Sequence, residues 1–239
     1  MKKKTIHVLG RSLVLDIRLD RRTRGYKLTM QPEGRLKLTL PRNLSEKDMQ
    51  SLLDRHRRWI GSRLKEQEIK ARIGDPFTCK NGAHLPVLGN SVRLSLQPAE
   101  DQPPGWRFKN GHLEICVPES KPAYILPVIQ QWYRRITYSF LEKRVPFWAE
   151  QVHVTFTRIY VKNQRSLWAS CSRKKNLNFN WRTVLLPYST ADYLIIHELC
   201  HLKELNHSPK FWAIVENHCP DFKKENDYLK KVNHWLKFP

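Results

Sequence analysis

Apolar residues fall at every second position in several short runs of the first half of the chain. Residues 12–20, 26–31 and 35–40 show this period, which belongs to strands with one buried face. Pro32-Glu33-Gly34 predicts a hairpin turn between the last two. Ser45 then opens a helix, with Asp48 three positions on in a capping-box arrangement. Leu52, Leu53, Trp59, Ile60 and Leu64 extend its apolar face, so one long helix is expected. Residues 86–96 and 106–117 predict further strands, the second segment turning at Asn110-Gly111. Beyond them the pattern predicts a helix over 123–150, strands over 152–162, 166–170 and 178–186, and closing helices over 211–219 and 222–235.

A weak internal echo runs through this layout. The stretch from Gly34 to Pro41, followed by Arg57-Arg58-Trp59-Ile60, parallels Gly111 to Pro118, followed by Tyr133-Arg134-Arg135-Ile136. Each copy reads as hairpin, proline and helix. We place a domain boundary after residue 118, separating a β-rich N-terminal region with one long helix (1–118) from residues 119–239.

The chemistry concentrates in one segment. His197, Glu198 and His201 form an H-E-x-x-H array, with His207 six residues past the second histidine. Residues four apart share a helix face, so His197 and His201 can offer two imidazole nitrogens to one metal ion. Glu198 then stands beside that ion, where a carboxylate can take a proton from water. A solvated surface helix would carry two histidines equally well. The apolar run Tyr193-Leu194-Ile195-Ile196, continued by Leu199 and Leu202, argues instead for a buried helix whose polar groups need partners. Asn206 tolerates a left-handed turn, Ser208 can cap and Pro209 suits a first helical position, so the chain bends at His207. Three protein ligands leave a position open, as in catalytic zinc sites. Glu204 and the lack of any methionine after Met49 exclude a metzincin, despite the shared histidine spacing.

Several consecutive motifs carry a resemblance. The segments Arg165-Ser166-Leu167-Trp168-Ala169-Ser170-Cys171-Ser172, Asn178-Phe179-Asn180-Trp181-Arg182, Tyr193 through His201, and His207-Ser208-Pro209-Lys210-Phe211-Trp212 resemble the YgjP-like metal-dependent hydrolases. These are bacterial relatives of the SprT-like and WLM zinc metallopeptidases. The resemblance covers roughly 159–236, and the Arg57-Arg58-Trp59-Ile60 helix upstream also fits. Leu167 and Ala169 stand where the family has arginine and glycine. The resemblance implies an α+β fold with a zincin-like metallopeptidase domain, His197, His201 and His207 as metal ligands and Glu198 as general base. It also implies a strand that aligns extended substrate at the lip of the cleft. Residues 178–186 are the candidate for that strand, pairing with a peptide through an open edge. Asn180, Arg182 and Tyr188 are candidate substrate contacts, the last two as oxyanion donors. Phe211 and Trp212 read as core.

Composition bounds the rest. A 40% apolar content over 239 residues suits a globular chain, and no run approaches the roughly 20 apolar residues that span a bilayer. Met1-Lys2-Lys3-Lys4 looks like the basic end of a signal peptide, but Arg11, Asp16 and Arg18 interrupt the apolar stretch after it, so a cytoplasmic location is expected. The 5 cysteines lack any C-x-x-C pair and read as reduced thiols. A net charge of +21 favours polyanionic partners. The expectation is therefore a metal-dependent hydrolase acting on a peptide or protein, with zinc as cofactor and other divalent transition metals as substitutes. Two alternatives stay open: phosphoanhydride hydrolysis of a nucleotide at the same site, and a nucleic-acid-associated protein with DNA-stimulated proteolysis or a structural metal.

Overall fold

β1 (Lys2–Val8) and β2 (Arg11–Leu19) pair antiparallel across Leu9 and Gly10, which both take positive φ, the backbone of a tight two-residue hairpin. β4 (Leu36–Leu40) lies parallel to β2, and β3 (Lys27–Met30) lies antiparallel to β4, so the sheet order is β1-β2-β4-β3. The computed structural model describes residues 2–31, 35–99 and 102–239. The turn expected at Pro32-Glu33-Gly34 lies outside them. Alternation along the strands sends Leu13, Leu15, Leu36, Leu38 and Leu40 to one face, against Leu52, Leu53 and Ile60 of the next two helices. Each fully buried leucine stabilises the fold by about 2 kcal/mol relative to exposure. A charge at Leu38, in the middle of β4, would break this face.

The single long helix expected from Ser45 is two helices. Ser45 caps α1 (Glu46–Arg55) by accepting from the Asp48 N–H at 3.1 Å. At His56 the backbone leaves helical geometry (φ −97°, ψ 8°) before α2 (Arg57–Ile73) begins. The break coincides with a tertiary tie: Tyr26 Oη lies 2.7 Å from His56 Nε2.

A second sheet repeats the first. β5 (His84–Val87) and β6 (Asn90–Pro98) form a hairpin through Leu88 and Gly89, again both at positive φ. β8 (His112–Val117) lies parallel to β6, and β7 (Gly105–Lys109) pairs antiparallel with β8 through Asn110-Gly111, giving β5-β6-β8-β7. The sequence echo is thus a repeated four-stranded topology followed by helix. The chain divides into compact units at Met1–Gly74 and Asp75–Pro239, so the second sheet belongs with the C-terminal half rather than ending the N-terminal one. The reason is α3 (Ile125–Val152), which packs on that sheet: Tyr133 donates its hydroxyl to Pro86 C=O at 3.0 Å, and Trp132 stacks on Phe108.

α3 runs past the predicted end, and His153 closes it in the left-handed conformation, so the next strand starts only at Arg158. The third sheet has β11 (Asn176–Asn180) in the middle, parallel to β9 (Arg158–Lys162) and antiparallel to β10 (Ala169–Cys171). The strand predicted over 178–186 is corrected here. Asn180 ends it by capping a 3-10 turn, Trp181–Leu185, through its side chain, and both edges of β11 are already paired. Then come α4 (Tyr188–Cys200), α5 (Pro209–His218) and α6 (Phe222–Val232), with a final 3-10 turn over Asn233–Lys237. The fold is mixed α+β with three small sheets and six α-helices among the described residues. None of these helices is long and apolar enough to cross a membrane.

Candidate metal centre

α4 is buried almost all round, with Leu194, Ile195, Ile196 and Leu199 packed among α3, α6 and β10. Its polar residues are tied in turn. Asp192 takes a two-point bond from Arg144 of α3 at 2.9 and 2.5 Å, and Thr190 bonds Glu225 of α6 at 2.5 Å. These ties fix the register of α4, and with it the direction of the two histidines at its far end. His201 is the C-cap of α4. The chain then turns through Leu202, Lys203 and Glu204 and restarts at Ser208, which caps α5 by accepting from the Phe211 N–H, with Pro209 at the first position. Asn206 is not left-handed as anticipated; the elbow is closed by the Ser208 N–H donating to Asn206 C=O at 2.8 Å.

That elbow returns His207 to the helix. Its Nε2 lies 3.0 Å from His197 Nε2, and one ligand atom from each of His197, His201 and His207 lies within 4.8 Å of the others. Two nitrogens bound tetrahedrally at the usual 2.0–2.1 Å from zinc would stand about 3.3 Å apart, so the spacing suits one ion. The second nitrogens are engaged behind. His201 Nδ1 lies 3.2 Å from Glu204 C=O, and His197 Nδ1 lies 3.5 Å from the Tyr193 hydroxyl, which leaves Nε2 of each ring turned forward. Phe211 stacks on His201 (4.5 Å between ring centres) and Trp212 on His207 (5.6 Å); Phe211 is the core residue expected, whereas Trp212 is only half-buried, and both hold the rings in place.

Burial sets the charge state of the groups here. Burial, together with the neighbouring His201 and His207, holds His197 down to about 3, and burial also lowers His201. These imidazoles are therefore neutral near pH 7, with lone pairs available. Burial pushes the Glu198 carboxyl up to about 8, against a hydrogen bond from the Cys171 backbone of β10 that lowers it. Three converging imidazole nitrogens are a donor set that fits a divalent ion.

The other candidates lie elsewhere. Arg182 is 1% exposed and packs over Trp181, donating to Asn163 Oδ1 at 2.7 Å, to Asn180 Oδ1 and to Phe238 C=O. Its guanidinium is occupied in the core and cannot meet an oxyanion. Asn180 is buried as the turn cap and donates to Gln164 and Leu167 carbonyls. Tyr188 opens α4, edge-on to Phe140 and beside Arg144. Nine residues separate it from His197, about 13 Å along the helix. Residues that the motif reading passed over include Tyr193, four positions before His197 on the same face, and the Cys171 backbone beside Glu198. Helix periodicity could have found the first; the second depends on the sheet.

A family model described as YgjP-like, metallopeptidase domain, matches residues 24–232. Among solved structures, the metallopeptidase zymogen abylysin of Pyrococcus abyssi aligns with 37% of this chain and 90% of its own, at 22% identity and a TM-score of 0.35. The curated proteins contain no significant match. With its histidine triad inside a match that spans most of its length, the chain belongs to the YgjP-like metallopeptidase-domain family.

Proposed function

We propose that this protein is a zinc-dependent hydrolase that cleaves peptide bonds. The observation that carries the reading is the convergence of His197, His201 and His207 on one point, with the Glu198 carboxyl one residue from the first ligand. The three Nε2 atoms would hold the ion, which when bound supplies Lewis acidity and makes its water easier to deprotonate. Glu198 accepts that proton as water attacks the carbonyl and passes it to the departing amine. The Cys171 N–H orients the Glu198 carboxyl. β10, an edge of its sheet packed on α4, replaces β11 as the strand along which an extended peptide can lie.

A second reading has its own observation. A cavity of about 550 Å³ just past His201 is lined by His153, Lys175 and Lys203, with Glu150 as its acidic residue. Such a lining suits the phosphates of a nucleotide. Assay of one zinc-loaded preparation on casein and on nucleoside triphosphates separates the two. Glu198→Gln is expected to keep metal and lose turnover of casein; a variant that still cleaves casein, free of contaminating protease, sinks the peptidase reading.

A further inference from the structure

Charge is distributed unevenly between the two units. Residues 1–74 carry 20 lysines and arginines against 8 acidic residues, while residues 75–239 carry 23 against 14. Within the first unit, two separated segments meet. The loop after β2 brings Arg21, Arg22 and Arg24 up to Tyr26, and the junction of α1 and α2 brings Arg55, Arg57 and Arg58 around His56. Tyr26 and His56 touch, through the 2.7 Å hydrogen bond and an edge-to-face ring contact at 5.5 Å. Asp20 shapes the loop, accepting from the Arg22 N–H at 3.1 Å while its carbonyl takes the Thr23 N–H. All six arginine side chains are exposed, and among the described residues no carboxylate pairs with any of them. The Tyr26 ring, through which the two segments touch, is 42% exposed.

We infer that this arginine cluster is a binding surface for single-stranded nucleic acid. It goes beyond the peptidase reading and does not depend on it. A guanidinium presents a planar fork that fits two phosphate oxygens, and six exposed forks on two segments joined at Tyr26 and His56 offer a track for a phosphodiester backbone. An exposed aromatic ring inside such a track offers a face on which a base can stack, a contact that paired bases cannot make as readily. An anionic membrane is less suited, because Leu52, Leu53 and Ile60 of the adjoining helices are buried in the unit's own core, so these helices present no broad apolar face to insert.

The test uses the full chain and fluorescence anisotropy with a labelled single-stranded thymidine 20-mer, with the matching duplex, phosphatidylserine vesicles and poly-glutamate in parallel. The single strand is expected to bind with a log–log salt slope of about −4, if all six arginines neutralise phosphates. Replacing Arg21, Arg22 and Arg24 together by Gln should reduce the slope to about −2, with thermal stability unchanged. Tyr26→Ala should weaken the single strand about tenfold, the duplex less, and leave the slope alone, whereas Tyr26→Phe keeps the ring and keeps the affinity. Chelating the metal should alter none of this, which separates the surface from the metal centre. Unchanged binding by the folded triple variant overturns the inference, as does an equal loss on both strands from Tyr26→Ala. Capture of vesicles or poly-glutamate without the oligonucleotide also overturns it.

Discussion

The Nε2 atoms of His197 and His207 stand 3.0 Å apart although ten residues and a helix–helix elbow separate them. Two imidazole nitrogens facing one another so closely repel unless a proton or a cation lies between. His207→Ala should therefore lower metal affinity by at least the roughly 10–100-fold that accompanies loss of a mere outer partner. Competition against a chromophoric chelator measures it, and unchanged affinity would remove His207 from the ligand set.

Metal-free protein should show a pH profile to which two shifted neighbours contribute opposite slopes, His201 adding to that of His197. The Glu198 carboxyl stays protonated in the folded state up to about 8, while in the unfolded chain it ionises above its ordinary 4.5; stability therefore falls as pH rises between these values. The His197 ring stays neutral in the fold down to about 3, while the unfolded ring protonates below 6.5; stability therefore falls as pH drops between these values. The two slopes oppose one another between 4.5 and 6.5. Above 6.5 only the carboxyl acts, and stability should decline by about 2 kcal/mol up to pH 8. Glu198→Gln should abolish that decline in calorimetry with chelator present; the same slope in wild type and variant rules it out.

Arg182 tests a structural role against a catalytic one. Arg182→Met leaves the Phe238 carbonyl and part of Asn163 without a donor inside the protein, at a cost of about 3 kcal/mol. A lower midpoint in urea, with the turnover of the remaining folded enzyme unchanged, is expected. A fall in kcat at constant stability would return the residue to the active site.

The tie between α3 and α4 offers a further handle. Arg144→Met strands the Asp192 carboxylate, 8% exposed, and should destabilise the protein by about 2–3 kcal/mol, less than a fully buried pair because Arg144 reaches solvent. Adding Asp192→Leu should recover much of the loss. A double variant no better than the single one would show that the pair is not the source of the effect.

Features that depend on neighbours along the chain could be read from residue order. The Ser45 and Ser208 caps, Pro209 at its helix start, the Asn110-Gly111 hairpin and the ligand face of α4 all rest on contacts within a few residues. The repeated hairpin–proline–helix echo also carried through, because strand alternation records which face is buried. Long-range partners decided the remainder. His56 interrupts the long helix where Tyr26, thirty residues earlier, binds its ring. β11 became a central strand because β9 and β10 took both its edges, and Arg182 turned inward because Asn163 and the Phe238 carbonyl awaited it. Residue types named the three imidazoles; only the folded elbow, held by helix capping and aromatic packing, put their nitrogens within reach of one ion.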